Sequence, residues 1–165
     1  MILGMTTSAF TLLHVVISLI GIGSGLVVMY GLLTAKRLEG MTAIFLVSTA
    51  ATSVTGFFFP IDHVTPGLIV GGLSLAVLAL ATMARYGFHL NGTWRSIYVV
   101  STAIALYLNV FVLVVQSFEK VPALTALAPT QKEAPFLVAQ LVVLVSFAVL
   151  TIAGVKRFHA RPGPA

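Results

Sequence analysis

Five apolar runs, separated by loops whose basic charge alternates from one side to the other, constrain this chain more than any other feature. The runs cover about 10–33, 41–59, 66–84, 96–117 and 135–155, and roughly 20 apolar residues cross a bilayer as a helix. Lys36 and Arg37 follow the first run, Arg85 and Arg95 bracket the loop after the third, and Lys156, Arg157 and Arg161 follow the fifth. Seven of the nine Lys and Arg residues therefore share one side. The opposite loops hold Asp62 in one, and Lys120 and Lys132 balanced by Glu119 and Glu133 in the other. Cytoplasmic loops carry the Lys and Arg excess. The expected fold is an all-α integral membrane protein, a bundle of five transmembrane helices with its N-terminus outside and its C-terminus cytoplasmic.

Composition supports the bilayer as solvent. Hydrophobic residues make up 59% of the 165 and charged residues 8%, where soluble domains carry about 25% charge. Mean hydropathy is +1.10. The length suits a single domain, 1–165. A net charge of +5 suggests nucleic acid in a soluble protein, but here topology accounts for it, and no nucleic-acid partner is expected. Without cysteine the chain forms no disulfide, Cys-ligated zinc site or iron–sulfur cluster. The opening MILGMTTSAF has no basic segment, so the first run does not read as a cleavable signal. Met5-Thr6-Thr7 would open that run as well as Met1 does.

Local signals set the boundaries. Gly40 reads as the stop after Thr34-Ala35-Lys36-Arg37. Pro60 ends the second run in a tight turn to Pro66, with Thr65 as N-cap and Pro66 at the first helical position. Asn91-Gly92 marks a turn; Asn91-Gly92-Thr93 also fits a glycosylation acceptor but falls on the cytoplasmic side. In the loop 118–134, the stretch Val121–Ala128 is apolar enough to lie on the membrane or dip in as a short helix. The tail 158–165, with Pro162-Gly163-Pro164, is expected to be flexible. Tyr86, Trp94 and Tyr98 mark the inner interface, and Phe57, Phe58 and Phe59 the outer.

Small and polar residues fall on faces. His14, Ser18, Gly21 and Gly25 form one stripe of the first helix, and Gly21–Gly25 is a G-x-x-x-G pair that lets backbones approach closely. Gly67, Gly71 and Ser74 repeat the idea in the third helix until Leu78 interrupts. Ser48, Thr52 and Thr55 share a strip of the second, flanked by Thr49, Ser53 and Gly56. Close helix packing is the favoured reading of these faces. The sharper one is a slot for a flat cofactor, a quinone or a lipid tail.

His14 titrates near neutrality and lies inside a span, which makes it a functional candidate. Thr102, Asn109 and Gln116 recur every seven residues. An outer-side polar cluster of His14, Asn109, Gln116 and Gln140 follows, read first as a network that fixes helix register. Two weaker candidates are a haem b held between His14 and His63, and a metal bound by His14, Asp62, His63 and Glu119. His89 and His159 read as solvated or near headgroups. No nucleophile elbow, metalloprotease or phosphate-loop motif is present, and all four acids read as loop residues, so an enzyme is not expected. As a proton-coupled transporter the chain would have only His14 to use, and as a channel it would need to oligomerise.

Ala105–Gln116, Lys120–Leu124, Ala128–Gln131, Phe136–Gln140 and His14–Gly25 together resemble small uncharacterised bacterial multi-spanning inner-membrane proteins, a likeness that covers most of the chain. It implies the bacterial inner (cytoplasmic) membrane and attaches no activity. The expected function is a non-enzymatic membrane protein acting through helix packing, as an accessory subunit or small oligomer, with lipid, other membrane subunits or itself as partners. A haem b or quinone-binding redox protein and a small transporter or channel are the alternatives.

Overall fold

The structure is a computed structural model that describes residues 2–60 and 66–159. Asp62, His63, Thr65 and Arg161 lie outside the described residues, as do the expectations placed on them. The elements run α1 (Thr7–Leu33), α2 (Glu39–Gly56), α3 (Pro66–Thr82), a π-helical turn (Met83–Gly87), α4 (Trp94–Lys120), α5 (Pro122–Leu127) and α6 (Ala134–His159). Among the described residues no strand forms; an isolated bridge joins Ile2 and Met5.

Among the described residues, four helices are long and apolar enough to cross a membrane: Thr7–Leu33, Pro66–Gly87, Trp94–Lys120 and Ala134–Phe158. The fifth expected span, α2, is not among them. It has 18 residues, six of them Thr or Ser, and it starts on Glu39. It is nonetheless deep in the bundle, with Thr42, Phe45, Ser48, Thr49 and Ser53 all buried. Helices α1 to α4 form the body: α2 packs on α1 and α3, while α4 packs on α3, α1 and α6. Half of the most apolar window of α4 is buried against 6% for α6, so α4 is the interior helix and α6 the rim.

Several boundaries move for physical reasons. Helix α1 stops before Gly40, which falls inside α2. Ala35 takes the left-handed conformation (φ 55), and the Lys36 N–H donates to Gly31 O at 2.8 Å, the bond of a Schellman close. A Cβ on Gly31 would meet Leu38 Cδ1 at 2.9 Å, so the glycine lets Leu38 fold back over the helix end. Helix α2 ends at Gly56 instead of Phe59, with Phe57 N donating to Val54 O. Glu39 lies in the first turn of α2, where the helix dipole favours an acid, and Glu119 in the last turn of α4. Neither is a loop residue. The stretch Val121–Ala128 contains the short helix α5, and α6 continues to His159, taking the first two residues assigned to the tail.

The two ends of the bundle differ. The N-terminal end gathers the start of α1, the end of α2, α5 and the 128–133 loop. The C-terminal end gathers the start of α2, the π turn, Asn91-Gly92 and the end of α6.

Candidate functional site

Between α1, α2, α3 and α4, at the N-terminal end, lies a cavity of about 670 Å³. Small residues leave the room: Gly56, Gly67 and Gly71 all line it. A Cβ on Gly71 would stand 3.5 Å from the Phe57 ring, so the cavity begins where the α2–α3 contact ends. His14, Ser18, Thr52, Ser53, Ser74 and Asn109 place polar atoms in its wall, Gln116 and Lys120 also line it, and no carboxylate is among its described lining residues. Phe57, Phe59 and aliphatic side chains make up much of the rest.

His14 is fixed by its neighbours. Its Nδ1 lies 2.8 Å from Thr55 Oγ1, and the Thr55 hydroxyl donates to Ala51 O at 2.7 Å. A hydroxyl has one proton to give, so with that proton on Ala51 O the His14 Nδ1–H donates to Thr55 Oγ1. The ring edge meets Phe59 (centroids 5.3 Å, 88°). Ser18 donates back to His14 O.

Deeper in the bundle Asn109, 9% exposed, donates through Nδ2 to Thr49 Oγ1 at 3.2 Å. Gly21 makes room for this pair: a Cβ there would stand 3.1 Å from Thr49 Oγ1 and 3.4 Å from Asn109 Nδ2. Gly25 faces Leu106 and Phe45 just below, at 2.5 and 2.8 Å from where its Cβ would be. The G-x-x-x-G face of α1 is thus spent on this chain's own α2 and α4.

Thr52 is different. It lines the cavity, and its buried Oγ1 has no hydrogen-bond partner. Helical threonines usually return their proton to the preceding turn, and a buried unsatisfied hydroxyl costs about 1–3 kcal/mol.

The four residues of the expected polar cluster are not joined to one another. Gln116 bonds Glu119 within its own helix (3.3 Å). Gln140 lies on α6 away from the cavity and donates to Phe111 O (3.2 Å), with its Oε1 unpartnered. His14, Asn109 and Gln116 share the cavity wall without touching. Among the described residues no group of three His, Asp or Glu side chains comes close enough to hold a metal. For haem, His14 is the only histidine among the described lining residues, and no methionine or cysteine is with it.

By its place beside an apolar run, Arg85 reads as a topology charge. In the structure it is 7% exposed, with its guanidinium 5.4 Å from the Tyr98 ring centroid and 5.7 Å from that of Tyr86. Nη1 donates to Tyr98 Oη (3.3 Å) and Nη2 pairs with Glu39 Oε1 (3.4 Å). Tyr98 is 1% exposed and sits inside the bundle instead of at an interface. A usable signal was present: Ser74, Leu78, Ala81 and Arg85 recur at steps of four, three and four, and all are buried.

No family model, curated protein or solved structure matches this chain.

Proposed function

We propose that this chain is a non-enzymatic membrane protein that binds a small amphipathic molecule, one with acceptor oxygens on an apolar body, in the cavity between α1 and α4. In this reading α2 is a fifth span, and the hydroxyls that lower its apolarity face the protein interior. The loop charges set the N-terminus outside and the C-terminus in the cytoplasm of a bacterial inner membrane, so the cavity opens outward.

One observation carries the reading: a cavity of about 670 Å³ whose wall contains a buried hydroxyl with nothing to bond, Thr52 Oγ1. A mostly apolar pocket with a few convergent polar groups is the usual form of a small-molecule site. Thr52 and Asn109 supply donors, Lys120 supplies positive charge, and Phe57 and Phe59 suit an apolar or ring-bearing body. Of the glycines expected to form an accessory subunit's contact faces, Gly21 and Gly25 pack internally. Haem b fits less well than a ligand held by hydrogen bonds, since the described wall offers one axial ligand.

Quinones and amphipathic carboxylates share the required chemistry, and binding tells them apart. Purified protein is titrated with decylubiquinone and, separately, with 4-phenylbutyrate. Saturable binding of either that weakens about tenfold or more in Asn109→Leu or Thr52→Val supports the site. Absence of saturable binding by both probes contradicts it.

A further inference from the structure

Below the cavity the polar seam does not stop. Beyond the cavity lining, one turn past Gly21, Phe45 and Leu106, each 0% exposed, pack beside Gly25. One turn further along α4 is Thr102, also 0% exposed, whose Oγ1 has no partner among the described residues. Next come Tyr98 and Thr42, their hydroxyls 3.5 Å apart, then Arg85 on Tyr98 and finally Glu39, whose side chain is 81% exposed at the C-terminal end. Unpartnered hydroxyls thus lie on both sides of a closed layer that holds Asn109 and Thr49 as well as Phe45 and Leu106, Thr52 above it and Thr102 below. Each such group in a folded protein calls for an explanation, and a visiting water or solute is one. A network serving only helix register would leave no buried hydroxyl unpartnered.

The charges at the two ends agree. Lys120 stands in the cavity wall at one end and Arg85 is buried at the other, while the cavity wall holds no described carboxylate. Arginine and lysine favour anions along a path, and the guanidinium fork suits a carboxylate. Glu39 is the exception. Its pairing with Arg85 is long and solvent-exposed on the acid's side, a weak contact that can open.

We propose that the bundle is a carrier for small amphipathic carboxylates, which bind in the cavity, pass between Phe45 and Leu106, and leave along Thr102, Tyr98 and Arg85. The proposal rests on the cavity being a binding site and names its substrate class. The C-terminal end opens when Arg85 exchanges Glu39 for the carboxylate of the solute. No bond is made or broken in the process.

The absence of cysteine makes a direct test simple. Thr102→Cys and Ser18→Cys are prepared singly, reconstituted in liposomes and treated with a charged methanethiosulfonate reagent, which modifies the thiolate that forms in water. Ser18→Cys, in the cavity wall, is expected to react from the N-terminal side and to be protected by 4-phenylbutyrate. Thr102→Cys is expected to react from the C-terminal side, several-fold faster when Glu39→Gln is added and faster still with 4-phenylbutyrate present. A Thr102→Cys thiol that stays unreactive in both backgrounds, while Ser18→Cys reacts and is protected, overturns the passage and leaves the binding site standing. Loss of protection at Ser18→Cys by 4-phenylbutyrate, with protection by decylubiquinone retained, overturns the carboxylate. Loss of protection by both overturns the binding site itself. Ser18→Cys also reports whether the fold is intact, because its reactivity from one side requires the assembled cavity.

Discussion

At Gly25 a single methyl group would meet Leu106 and Phe45 at once, at 2.5 and 2.8 Å. Gly25→Ala is expected to destabilise the protein by about 1–3 kcal/mol, the cost of overpacking a filled interior. Gly23→Ala, where nothing lies within 4 Å, provides the control and should leave thermal melting in detergent unchanged or slightly raised. Equal melting of the two variants would contradict the packing described. Ala35 is the opposite case. A left-handed alanine at a helix end carries strain that glycine lacks, so Ala35→Gly should stabilise by up to about 1 kcal/mol in the same melting assay. In the loop at the N-terminal end, the Thr130 hydroxyl and the backbone N–H groups of Thr130 and Lys132 donate to the Glu133 carboxylate and hold its pKa below the usual range. A depressed carboxylate stabilises its turn above the unfolded pKa and loses that effect as pH falls through the folded value. The protection of the Thr130 and Lys132 amides, each rate compared with the intrinsic rate at the same pH, is therefore expected to persist from neutral pH through mild acid and to be lost as pH falls through the folded value. The Glu133→Ala variant should lack that protection throughout.

At the level of elements, α2 and α4 are tied by Asn109 and Thr49, and Gly21 on α1 allows that bond. A double-mutant cycle on Asn109→Leu and Thr49→Val should return a coupling of about 0.6 kcal/mol, the usual size for such bonds in membrane bundles. Helix α6 is of another kind. Val145 is 53% exposed and Phe147 8%, so tryptophan placed at Val145 is expected to be quenched by brominated lipid tails, and tryptophan at Phe147 to be shielded. The apolar runs of α1, α3, α4 and α6 were legible because length and hydropathy alone define a membrane helix. Helix ends were less so. Gly40 looked like a stop, yet backbone geometry placed the left-handed residue at Ala35, which sequence preference argues against. The burial of Arg85 was hidden because a basic residue beside an apolar run serves topology and packing equally well.

For the whole molecule, the sequence identified His14, Asn109 and Gln116 as facing one region, and the structure gathers them around one cavity without joining them. Gln140 was misleading because heptad spacing and depth along the chain say nothing about which neighbour a helix chooses, and α6 lies on the rim. What periodicity could not supply is the relation between helices: that glycines on α1 close the interior while glycines on α3 leave it open. From that difference come a sealed centre at Phe45 and Leu106, a cavity on one side and a buried arginine on the other. The most direct test of the cavity as a binding site is photolabelling of the intact protein in liposomes with an aryl-azide derivative of 4-phenylbutyrate, followed by peptide mapping. Label is expected on α1 and α2 around His14, Ser18 and Thr52, competed away by unlabelled 4-phenylbutyrate. Label confined to the lipid face of α6, around Leu141 and Val145, and unaffected by competitor would contradict it.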